Sequence, residues 1–123
     1  KTAVLYHLRG QDGRAPTPAP EQIPERAHIA ASFQEAVVDA LVEPTIHAAR
    51  ELGLRTLLVG GGVACNRRLR EKLGAAARAH GLECVFPSPA YCTDNAAMIA
   101  GLGWQRWKAG LVADLALDAS SAS

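Results

Sequence analysis

The chain has 123 residues, of which 49% are hydrophobic and 20% charged, and its formal net charge is +1. That length holds one domain at most, the composition is that of a globular protein, and the near-neutral balance neither requires nor excludes a nucleic-acid partner. No apolar run approaches the roughly 20 residues that span a bilayer, so no membrane association is expected. Residues 1–9, "KTAVLYHLR", read as the end of a helix with Val4, Leu5 and Leu8 on one side. The start has neither an initiator Met nor the layout of a signal peptide, and it reads as a cut inside a longer chain. "GQDGRAPTPAPEQIP" (10–24) holds two glycines and four prolines and is expected to be a loop.

Helical spacing returns over 25–52, where Phe33, Val37 and Leu41 recur every four residues as an apolar stripe. Pro44 is expected to kink or divide this helix, because its ring removes one backbone donor and clashes with the preceding turn. Gly53 is a natural stop. "LRTLLV" (54–59) suits a short strand buried in a parallel sheet. Three glycines follow, and then a helix over 67–80 with Leu69, Leu73 and Ala76 on one face. "LECVF" (82–86) is a second strand, so the order strand, helix, strand predicts a βαβ unit with a right-handed parallel crossover. "PSPAYCT" is a loop. The stretch 94–109 is helical, apolar on most sides through Leu102, and expected to be buried, with Ala96, Ala97, Gly101 and Gly103 permitting close packing. The tail 111–123 is expected to be flexible. Two strands leave both sheet edges open, so part of the fold is expected to come from elsewhere.

Three cysteines, Cys65, Cys84 and Cys92, form no CxxC and lie at no metal-like spacing, which predicts reduced thiols and a cytoplasmic location. The chemistry gathers at "LLVGGGVACNRRLRE" (57–71). A strand running through glycines into a helix is a general anion and nucleotide architecture, since N–H groups at a helix start point outward and the helix dipole favours negative charge. The spacing is neither GxxxxGK[ST] nor GxGxxG. From the residues alone, Gly60, Gly61 and Gly62 are either a nucleotide site or a tight turn that lets the helix pack on the sheet. Asn66 is either a ligand group or an N-cap. Asp94, between Thr93 and Asn95, is either an N-cap or a metal carboxylate. Arg67, Arg68, Arg70 and Lys72 form a local basic cluster whose ordinary reading is a solvated helix face. Both the glycines and Asp94 follow the C-terminal ends of strands, the edge at which parallel α/β sheets bind ligands.

"GGGVACNRRLRE" followed by "CTDNAAMIAGLG" resembles the transferase family that makes threonylcarbamoyladenosine in transfer RNA, called Gcp or O-sialoglycoprotein endopeptidase in older naming. "KTAVLYHLRG", "SFQEAVVDAL" and the "GW" near the end fit it too, so the resemblance covers residues 1–110. It implies an α/β fold of the actin-like ATPase (ASKHA, ribonuclease-H-like) type, of which this chain is the C-terminal part, followed by the tail 111–123. It also implies transfer of a threonylcarbamoyl group from an adenylate onto N6 of adenosine 37 in transfer RNAs that read codons beginning with A. Carried over by motif, Gly60, Gly61, Gly62 and Asn66 would line the pocket for ATP or threonylcarbamoyl-adenylate, and Asp94 would be one ligand of a divalent metal, iron in preference to zinc. The family's two other ligands are histidines of an HxxxH motif that this sequence lacks, and His7, His28, His47 and His80 are not assigned as ligands. The implied partners are the transfer RNA, a paralogous Gcp-like protein and a small ATPase of the same pathway. No catalytic residue is assigned within the chain, which would carry half of an active site and not turn over alone. The alternatives are a metallopeptidase and a non-catalytic interaction module. The first has no HExxH, no GxSxG and no Cys–His pair to support it, and the second is disfavoured by the intact glycines and Asp94.

Overall fold

In the computed structural model, which describes residues 2–10 and 12–118, the periodic stretch after the proline-rich segment folds as one helix, α2 (Arg26–Glu51). It runs through Pro44 without dividing, contrary to expectation. A proline inside a helix costs about 3 kcal/mol. Here the turns on both sides are held by burial, with Val38 and Val42 before the proline and Ile46 and Ala49 after it. Thr45 also donates its hydroxyl to the carbonyl of Leu41 at 2.7 Å in the same turn. The buried row is therefore not Phe33, Val37 and Leu41, which are each about 40% exposed. A strict four-residue step drifts off a 3.6-residue helix, whereas the 4-4-3 spacing of Val38, Val42, Ile46 and Ala49 holds one face over about three turns.

That face packs on α3 (Arg67–Ala79), which offers Leu69, Leu73 and Ala77. Helix α3 is the crossover between two three-residue strands, β1 (Thr56–Leu58) and β2 (Glu83–Val85), each shorter than its apolar run suggests. They pair in parallel with Thr56 opposite Glu83, Leu57 opposite Cys84 and Leu58 opposite Val85, so the expected βαβ unit forms. Alternation along each strand turns Leu57 and Cys84 toward the helices, where they join Leu82, Val59, Ala76 and Phe86 around the core. The other face of the sheet is uncovered, with Leu58 81% exposed. A short helix, α1 (Thr2–Arg9), precedes this unit and has no buried residue.

The basic cluster on α3 is not simply a solvated face. Arg68 grips Glu35 of α2 with two hydrogen bonds at 2.7 and 2.8 Å. Lys72 donates to the same carboxylate at 2.5 Å and also to Asp39. Only Arg67 behaves as expected, pairing along the helix with Glu71 at 2.8 Å. The Arg68 guanidinium and then the Lys72 ammonium hold the Glu35 carboxyl down from 4.5 to about 2. Charge pairing thus fixes α2 against α3 beside the apolar seam.

The last helix, α4 (Ala96–Lys108), corrects another expectation: none of its residues is buried. Ile99, Leu102, Trp104 and Trp107 all face solvent. Burial needs a facing layer as well as an apolar helix, and no described element supplies one. Trp104 and Trp107 cover part of each other, with ring centroids 5.1 Å apart. Residues 111–118 follow without helix or strand, and residues 119–123 of the expected flexible tail lie outside the described residues. No described helix is long and apolar enough to cross a membrane.

Two outcomes are expected. The 123-residue chain alone, with a two-stranded sheet and an uncovered α4, should self-associate or bind a hydrophobic dye such as ANS; a monomer that melts cooperatively and ignores the dye would contradict this. Because the Glu35 pKa is depressed on folding, its contribution is complete above about pH 4.5 and is lost as pH falls toward about 2. Thermal melts of wild type and Glu35→Gln across that window should converge at the acid end and separate above pH 4.5.

Candidate functional site

Strand β1 delivers the chain through Val59 to the three glycines, which differ in what they require. Gly61 has φ +86° and ψ 169°, a combination that essentially only glycine adopts. Its carbonyl accepts from Ala64 N–H at 2.9 Å and so starts the 3-10 turn Gly62–Cys65. Gly60 and Gly62 are not in the left-handed region. A Cβ built on Gly60 or Gly61 would meet nothing within 4 Å, and one on Gly62 only the Thr93 methyl at 3.9 Å. No close helix-on-sheet packing among the described residues therefore requires three glycines, and the turn itself requires only Gly61. The N–H groups of Gly60 and Gly61 find no acceptor among the described residues.

Asn66 is the N-cap of α3. Its Oδ1 accepts from Leu69 N–H at 3.0 Å, and its Nδ2 donates to Gln34 Oε1 at 3.4 Å. The capping alternative is the one this geometry expresses. At the second loop the reverse holds. Asp94 is not the N-cap of α4; Asn95 is, with Oδ1 accepting from Met98 N–H at 2.9 Å and Nδ2 donating to Thr93 O at 2.9 Å. The Asp94 carboxylate is exposed and makes no hydrogen bond or ion pair with any described residue. The cap and the candidate ligand are thus adjacent residues, and Asp94 has no part in the capping.

Parallel pairing brings the two loops together. Gly61 and Gly62 from the first, and Tyr91, Cys92, Thr93 and Asp94 from the second, line one open pocket of about 360 Å³ together with Met98 of α4. Gly60 lines a neighbouring, mainly apolar pocket of about 310 Å³ with Leu41, Leu58 and Val63. Asn66 lines neither. Of the five candidate residues, the structure joins Gly61, Gly62 and Asp94. No histidine lines this pocket.

Sequence reasoning missed Arg70. Its guanidinium donates to Ala64 O, to Pro87 O at 2.7 Å and to Cys92 Sγ at 3.2 Å, and it lies 5.0 Å from the centre of the Phe86 ring. Its place next to Leu69 on α3 was visible, but a basic run gives no signal that separates it from Arg67 or Arg68. Cys65 is an exposed residue whose Sγ lies 3.5 Å from Pro89 O, and local desolvation together with the neighbouring Cys92 pushes its thiol above the usual value. Cys65, Cys84 and Cys92 are all free thiols. As for a metal, no group of three His, Cys, Asp or Glu among the described residues could hold one, so Asp94 is a single donor and the residues present do not complete a metal site.

A family model for tRNA N6-adenosine threonylcarbamoyltransferase matches residues 1–101. Among curated relatives, proteins of that name from Thermotoga neapolitana and Symbiobacterium thermophilum are 47% and 44% identical, each over 97% of this chain and 33% of the relative. One from Treponema denticola is 48% identical over 82% of this chain and 28% of the relative. The chain spans about a third of the length of the curated relatives it matches. The family implies an ASKHA-type fold, with which the helices and small parallel sheet are compatible. With the family model matched over residues 1–101 and this extent of identity to curated relatives, the chain belongs to the tRNA N6-adenosine threonylcarbamoyltransferase family.

Proposed function

We propose that the full-length protein transfers a threonylcarbamoyl group from its adenylate to N6 of adenosine 37 in transfer RNAs that read codons beginning with A, and that this chain supplies one wall of the adenylate site. The observation that carries this is the pocket shared by Gly61, Gly62 and Asp94 at the C-terminal edge of two parallel strands. In the transfer, the N6 amine bonds to the carbamoyl carbon and gives up one proton, the bond from that carbon to the adenylate's phosphate oxygen breaks, and AMP leaves with the negative charge on that oxygen. Among the described residues the N–H groups of Gly60 and Gly61 have no acceptor and are available to such a phosphate, Gly61 within the pocket and Gly60 beside it. The absence of a side chain at Gly62 lets the ligand approach the backbone. Asn66 serves the site by starting α3 behind the turn, since its oxygen is committed to Leu69.

Asp94 is proposed as one metal ligand, iron in preference to zinc, with the remaining ligands supplied by an HxxxH motif outside this chain. The described residues do not by themselves complete a site for that metal. A paralogous Gcp-like partner, a small ATPase of the same pathway and a cytoplasmic location belong to the same reading, which the family membership supports.

The structure selects the variants that test it, each made in a chain of the relatives' full length. Gly62→Ala places a methyl in the pocket at an ordinary backbone conformation. It should weaken ATP binding in calorimetry and leave the melting temperature nearly unchanged. Gly61→Ala is the poorer probe, since its positive φ alone should cost about 1–3 kcal/mol of stability. Unchanged ATP affinity in Gly62→Ala would remove the adenylate from this pocket. Asp94→Asn should lower bound metal and transferase activity without lowering the melting temperature, whereas Asn95→Ala and Asn66→Ala should each cost about 1 kcal/mol of stability as lost caps. Full metal occupancy in Asp94→Asn would exclude Asp94 as a ligand.

A further inference from the structure

Three of the four cations in the basic cluster are neutralised: Arg67 by Glu71, Arg68 by Glu35, and Lys72 by Glu35 and Asp39. Arg70 is the exception. Among the described residues it has no carboxylate partner; it is half-buried against two backbone carbonyls, a thiol and a ring. Those partners have a pattern. Ala64 belongs to the 3-10 turn that begins at Gly62, after β1, and is itself buried. Pro87 and Cys92 belong to the segment that leaves β2 and leads to Asp94. One planar fork therefore spans the two halves of the pocket from behind, and Arg70 does not line the pocket itself.

We propose that Arg70 is the positioning residue of the pocket, tying the turn after Gly62 to the segment before Asp94 so that the glycine wall and the carboxylate face the same ligand. This rests on the adenylate reading above. The chemistry needs an arginine: a guanidinium presents several fixed donors that can satisfy separate acceptors at once, whereas a lysine offers one compact ammonium on a flexible stem. Hydrogen bonds from a charged donor are also stronger than neutral ones, which suits a strut between two irregular segments that share no backbone ladder. Without it, the two segments would be tied beyond the three-residue strands mainly by the weaker contact of the Cys65 thiol with Pro89 O at 3.5 Å.

The test uses Arg70→Lys beside Gly62→Ala in the full-length protein, with ATP affinity by calorimetry and hydrogen exchange resolved along the chain. Arg70→Lys should lower ATP affinity about tenfold, the equivalent of one lost charge-assisted hydrogen bond. Faster exchange should be confined to residues 60–65 and 87–95, with the α2–α3 core protected as in wild type. Weaker ATP binding in Gly62→Ala but not in Arg70→Lys would overturn the positioning role and leave the pocket reading standing. Weaker binding in Arg70→Lys without local loosening would overturn it too, since Arg70 would then act through its charge. Faster exchange throughout the α2–α3 core would reduce Arg70 to a general structural residue. Unchanged affinity in both variants would remove the pocket reading and this inference together.

Discussion

Leu57 lies opposite Cys84 in a parallel register, and that pairing is the constraint on which the site depends. Parallel strands must leave the sheet by the same edge, so the segment after β1 and the segment after β2 emerge side by side although about thirty residues separate them in sequence. An antiparallel pairing of the same two strands would have put the glycines and Asp94 at opposite ends. The helix crossover makes the parallel pairing possible, and the burial of Leu69, Leu73 and Ala77 keeps that crossover on the sheet.

The crossover is in turn held from its other side. Helix α2 meets it through an apolar row and a charged row, and Glu35 is shared between Arg68 and Lys72. A half-exposed charge network of this kind contributes less than its short contacts suggest, because solvent screens it. Its more secure effect is register, since a carboxylate gripped by a two-point guanidinium fixes how α3 slides along α2. Pro44 is tolerated in the same way: the helix is pinned by packing on both sides of the break in its hydrogen-bond ladder.

Apolar surface is distributed unevenly. The α2–α3–sheet layer is closed, while the outer face of the sheet and all of α4 are open, with Leu58 and both tryptophans exposed. The chain spans about a third of its relatives' length, and an apolar face of this extent on a folded domain is ordinarily covered by protein. The pocket lies where the closed layer meets this open surface, with Met98 of α4 on its rim.

Much of this was legible in the residues themselves. Local signals mark the elements: a glycine stop after α2, apolar runs for the strands, and the strand–helix–strand order that implies parallel pairing. The motif pair around Gly60–Asn66 and Asp94 was legible as well, and family membership followed from it. What the sequence could not decide were questions of which neighbour a side chain meets. Phe33, Val37 and Leu41 look as good a core row as Val38, Val42, Ile46 and Ala49 until α3 is in place to choose one. Asp94 and Asn95 are both good caps, and only the path of the chain into α4 assigned the cap to Asn95 and left Asp94 exposed. Arg70 is indistinguishable from Arg67 or Arg68 in a basic run, because a local sequence specifies a helix face only to within about one residue. Its role exists only once two distant segments, brought to one sheet edge by parallel pairing, present their carbonyls to a single guanidinium.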